Sequence, residues 1–108
     1  MPESPLVRHA HRSLDVACEL DAAGMEARGD EWRGLREAWV EGVEALPDGV
    51  RLWLRPGGWD VAGDLAGREA ACCGFLDFEL ARDGERVWLD ITSPVAEAQV
   101  VIAALAGR

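Results

Sequence analysis

The sequence predicts an α+β two-layer sandwich: a small mixed sheet of three to four strands with three helices over one face, in the order β-α-β-α-β-β-α. Three observations carry this. Val50 to Arg55 and Arg86 to Thr92 alternate apolar and polar residues, the period-two pattern of half-buried strands. Asp83-Gly84 stands between two strand-like runs, a strong hairpin signal. Met25, Trp32, Leu35, Trp39, Val43 and Leu46 recur at three-, four- and seven-residue steps, as one stripe of a helix does.

Taken in order, residues 1–12 hold two prolines and no periodicity, and read as a mobile tail before a single domain at 13–108. His9 and His11 lie in that tail; they could share a metal, but read more simply as solvated residues. Leu14, Val16, Cys18 and Leu20 alternate, which suggests a short strand with Cys18 facing the core, a helix being the alternative. Asp21 then reads as the N-cap of the long helical stripe, with a break at Arg28-Gly29-Asp30 and a stop at Pro47-Asp48-Gly49.

After the strand at Val50–Arg55, Pro56-Gly57-Gly58 turns the chain and Asp60 can cap a helix from Val61 to Cys73. Its inner face should be Val61, Leu65, Glu69 and Cys72, which sets a carboxylate where an apolar residue is expected. Strands at Phe75–Ala81 (kinked near Leu76) and Arg86–Thr92 follow. Ser93 and Pro94 read as N-cap and first position of a last helix striped by Val95, Ala98, Ile102 and Leu105.

Composition narrows the function. The net charge of −9 disfavours nucleic acid and anionic membranes, which need clustered positive charge. All eleven basic residues are Arg, with no Lys, a compositional bias without functional weight. There is no membrane-length apolar run and no signal-peptide pattern at the start, so a cytoplasmic location is expected. In that compartment three cysteines read as free thiols or ligands rather than bridges.

The chemistry is expected where Cys18 meets Cys72 and Cys73, with Asp21 or Glu69 as the proton-handling carboxylate. Thiolates favour soft ions such as Hg(II), Cu(I), Zn(II) and As(III). The absence of a C-x-x-C pair disfavours both structural zinc and a dithiol redox motif. Placement at a helix C-terminus beside Glu69 favours the neutral thiol, and a bound cation would reverse that. Arg68 is the nearest positive group in sequence. Two other readings stay open: a non-catalytic acidic interaction module with inert thiols, and a thiol redox sensor closing Cys18 onto Cys72 or Cys73. No resident cofactor is required, and a homodimer is compatible with any of the three.

Two resemblances bear on this. Glu69-x-x-Cys72-Cys73-x-Phe75-x-x-Phe78, with Cys18-x-Leu20 upstream and Ile91-Thr92-Ser93-Pro94 downstream, resembles a family of small bacterial proteins carrying E-x-E-C-C-P-F-x-x-F. The likeness covers most of residues 16–107 and departs at Ala71 and Gly74; it implies no activity. Locally, Cys18-Glu19-Leu20-Asp21 followed by Cys72-Cys73 is similar to the active-site segments of organomercurial lyase. That resemblance implies Cys18 and Cys72 as mercury ligands, Asp21 as the acid that protonates the departing carbon, and Cys73 as an accessory neighbour. Phe78 meets the second phenylalanine of that pattern and Asp77 replaces the first.

Overall fold

The computed structural model describes residues 6–108. Its strands are β1 (Leu6–His9), β2 (Val40–Leu46), β3 (Gly49–Leu54), β4 (Asp77–Asp83) and β5 (Arg86–Thr92). The helices are α1 (Ala22–Trp39), α2 (Trp59–Cys72) and α3 (Gln99–Leu105), the last preceded by a 3₁₀ turn at Ala96–Ala98. All strands form one sheet in the order β1-β4-β5-β3-β2, and every pairing is antiparallel. The α+β class holds. The mixed sheet of three to four strands and the expected element order do not: among the described residues there are five strands, none of them parallel.

The centre of the sheet follows the alternation read from the sequence. Leu52 pairs with Leu89, and Leu80 with Leu89 from the other side; each is buried, as are Val87, Ile91, Phe78 and Leu54 on the same face. Against this face the helices pack Trp32, Leu35, Leu65 and Ile102. Each such side chain contributes about 1.5–3 kcal/mol by leaving water. The β4–β5 loop is Gly84-Glu85, with φ +61° at Gly84 only, as a II′ hairpin requires.

Three expected elements are replaced. The long helical stripe ends at Trp39, and Val40–Leu46 becomes a strand instead of its last turns. Pro47-Asp48 is a hairpin turn rather than a helix stop, and it registers Leu46 on Gly49 and Val43 on Leu52. Gly49 is obligatory there, because a Cβ would stand 1.9 Å from the carbonyl oxygen of Ile91. The break at Arg28-Gly29-Asp30 does not occur; α1 runs through it. Two glycines in mid-helix cost less than the burial of Trp32 and Leu35 on its inner face returns.

The second replacement is at the N-terminus. The expected tail supplies β1, whose Leu6–His9 pair with Ala81–Phe78 on the free edge of β4. Residues 1–5 lie outside the described residues. A strand held by edge hydrogen bonds leaves Leu6 and Val7 exposed, so no periodicity announces it. With that edge filled, Leu14–Leu20 forms no strand: it is an irregular strap from residue 10 to 21, turned at Ser13–Asp15. Leu14 and Val16 are exposed, whereas Cys18 and Leu20 are half-buried.

The remaining differences are local. Gly58, not Asp60, sits at the N-cap of α2, and Ala62 takes the buried position expected of Val61, which is exposed. β4 begins at Asp77, after Phe75 and Leu76 have entered the core as a turn. Ser93 caps no α-helix; its Oγ accepts from the Val95 N–H at 3.1 Å and donates to the Phe75 carbonyl at 2.6 Å. Among the described residues no helix is long and apolar enough to cross a membrane.

Candidate functional site

The site is built where the strap, α1 and the end of α2 meet. α2 stops at Cys72, and Cys73 is its C-cap, with its N–H donating to the Glu69 carbonyl at 2.8 Å. The last carbonyls of a helix need outside donors. Arg12 of the strap supplies them, its Nη2 reaching Ala70 O at 2.7 Å and Ala71 O at 3.1 Å. The backbone N–H groups of Arg12 and Ser13 both donate to the Gly74 carbonyl, at 2.6 and 3.0 Å. Those bonds fix where the strap runs next, and Cys18 comes to rest over Cys73.

Cys18 Sγ, Cys73 Sγ and a carboxylate oxygen of Glu69 all lie within 4.8 Å of one another. Glu69 and Cys73 are buried; Cys18 is half-buried. Each Glu69 oxygen is engaged. Oε1 accepts from Trp32 Nε1 at 2.6 Å, while Oε2 accepts from the Cys73 thiol at 3.2 Å. Arg28 Nη1 stands 3.5 Å from the same Oε2 without a hydrogen bond of its own. A buried carboxylate is costly unless paired and hydrogen-bonded, and Arg28 with Trp32 meets both needs. The Cys73 thiol is pushed well up from its ordinary range by burial first, then by the Glu69 carboxylate and by Cys18.

Not every expected site residue joins the cluster. Cys72 stands outside the cluster, its sulfur accepting from Arg28 Nη2 at 4.0 Å. Neighbouring residues on a helix diverge by about 100°, so one of the pair had to turn away. Asp21 is spent as the N-cap of α1, accepting from the Gly24 N–H at 2.7 Å on the exposed surface. His11 contacts Asp77 at 2.9 Å, apart from the thiols. Arg68 pairs with Glu31 and Asp64 and does not compensate Glu69.

Sequence reasoning missed Arg28 and Trp32 as site residues. Both stand on the α1 face marked by Met25, one turn apart, and a polar residue on that stripe was the available signal. Cys18, Glu69 and Cys73 line a cavity of about 530 Å³ together with residues of the strap, α1 and α3.

Comparison with protein families, with curated proteins and with solved structures finds no match to this chain. Function therefore has to be argued from the chemistry of the cluster itself.

Proposed function

We propose that the Cys18–Glu69–Cys73 pocket binds a soft, thiophilic metal cation or its organic derivative, with mercury as the leading candidate. One observation carries this: two thiols from distant parts of the chain converge on one buried carboxylate. Their 4.8 Å limit is about twice a ~2.3 Å sulfur–zinc bond, so one ion between the sulfurs reaches both. Two sulfurs and one carboxylate suit Hg(II), Cu(I) or As(III) better than a closed tetrahedral zinc site.

The protons have a defined route. On binding, the Cys73 proton passes to Glu69 Oε2 along the existing hydrogen bond, and the sulfur lone pair forms the metal bond. The Cys18 proton leaves to solvent. For a metal that carries an organic group, protonated Glu69 then delivers its proton to the bound carbon. The carbon–metal electron pair becomes the new C–H bond, the hydrocarbon departs, and the metal stays on both sulfurs. Glu69 is thereby returned as a carboxylate held by Arg28 and Trp32. In this reading Glu69 replaces Asp21 as the acid and Cys73 replaces Cys72 as the second ligand, which reassigns two roles implied by the resemblance to organomercurial lyase.

Titration of the reduced protein with Hg(II) tests the proposal. A one-to-one complex with a sulfur-to-mercury charge-transfer band is expected. Cys18→Ser and Cys73→Ser should each abolish the band, and Cys72→Ser should leave it. A Cys18→Ser protein that binds as well as the wild type defeats the shared site. The same proximity favours a second reading, redox sensing through a Cys18–Cys73 disulfide.

A further inference from the structure

The cavity above the cluster is larger than an ion needs. At about 530 Å³ it falls within the ~300–1,000 Å³ of small-molecule pockets. Its walls are mostly hydrocarbon, from Leu20, Met25, Val101, Ala104 and Leu105. Its length follows α1, where Gly29 and Arg36 both line it two turns apart, about 10 Å at ~1.5 Å rise per residue.

The groove is electrically polar. At the Gly29 end, the Arg28 charge is taken up by the Glu69 carboxylate. At the other end, half-buried Arg36 gives Nη1 to the Leu105 carbonyl at 2.7 Å and has no carboxylate partner among the described residues. A guanidinium at an apolar wall is best compensated by an anion that brings its own hydrocarbon. Gly29 leaves the tail end open: a Cβ built there meets nothing within 4 Å.

We infer that this groove binds a medium-chain carboxylic acid, its carboxylate on Arg36 and its alkyl tail lying along α1 past Gly29 toward the thiols. The opposite orientation would set the carboxylate against Glu69. A cationic amphiphile is disfavoured by Arg36, despite the net charge of −9 that would otherwise attract it. This inference stands apart from the metal reading, since it needs neither sulfur.

Isothermal titration of the full chain with octanoate, octylammonium and acetate tests it. Octanoate should bind one-to-one, at least about tenfold tighter than octylammonium, as one charge-assisted contact warrants. Acetate should not bind measurably. Arg36→Gln should erase the preference for the anion. Gly29→Leu fills the groove from a helical position with open space around it, so it should keep the melting temperature or raise it while weakening octanoate at least about tenfold. The inference is overturned if octylammonium binds as well as octanoate, or if acetate binds equally. It also fails if Arg36→Gln retains the preference, or if folded Gly29→Leu binds octanoate unchanged.

Discussion

Trp32 and Glu69 are joined by a 2.6 Å hydrogen bond from indole Nε1 to carboxylate Oε1, the shortest polar link between α1 and α2 at the site. Trp32 also stacks on Phe78 with ring centroids 6.2 Å apart, so one side chain ties the sheet, α1 and the buried acid together. Trp32→Phe keeps an aromatic ring but leaves Oε1 without its donor. The expected loss is about 1–3 kcal/mol from the unsatisfied oxygen, with a further cost for the smaller ring. Urea denaturation measures it; a change below about 0.5 kcal/mol, typical of surface substitutions, would show that water reaches Oε1 instead.

Stability should fall at alkaline pH. The Cys73 thiol is raised by burial and by Glu69, so the folded chain keeps a proton that the unfolded chain gives up. Above the unfolded thiol pKa of about 8.5 the unfolded state binds fewer protons, and the stability gradient with pH turns negative. The contribution is thus complete below that pH and is lost as pH climbs toward the raised value. The limiting slope for one proton is about 1.4 kcal/mol per pH unit. Comparing denaturation from pH 8 to pH 10 for the wild type and Cys73→Ala checks it: the variant should lose most of the slope.

The central strands were legible because their physics is local: alternation in Val50–Leu54 and Arg86–Thr92, and the Gly84 turn that joins β4 to β5, are each written within a few residues. Edge strand β1 was not, since its stabilising partner is the backbone of β4, which no side-chain pattern in Leu6–His9 encodes. Val43 and Leu46 keep the three-residue spacing of a helix stripe and fall on opposite faces of a strand, so pairing with β3 and not their pattern decided the element. The misplaced carboxylate was readable as Glu69 on an apolar face, and it is buried. Which cysteine faces Cys18, and which cation holds Glu69, depended on how α2 ends and how the strap crosses it.

Mild oxidation discriminates the thiols. A hydroperoxide takes two electrons from the Cys18–Cys73 pair, giving one disulfide, an alcohol and water. Peptide mapping should find Cys18 linked to Cys73 and Cys72 still alkylatable, because Cys73 and not Cys72 shares the cluster with Cys18. A dominant Cys18–Cys72 link would mean that the end of α2 unwinds readily enough to swap the two sulfurs.

The strap itself should govern access to the cluster. Arg12 is its main anchor, through two carbonyls of α2 and the Gly74 carbonyl, with the His11–Asp77 pair beside it. Arg12→Ala removes the guanidinium bonds but leaves the backbone ones, so the loss of global stability should be about 1–2 kcal/mol, in the range of a lost cap or charged hydrogen bond. The local effect should be larger. With the strap loosened, Cys18 leaves Cys73 more often, and native-state maleimide labelling of both thiols should accelerate together while Cys72 changes little. Hydrogen exchange across residues 12–20 should quicken in parallel, reporting local opening rather than global unfolding. If labelling of Cys18 and Cys73 instead tracks global unfolding in wild type and variant alike, the strap does not open independently of the core, and metal or ligand must enter by another side of the cavity.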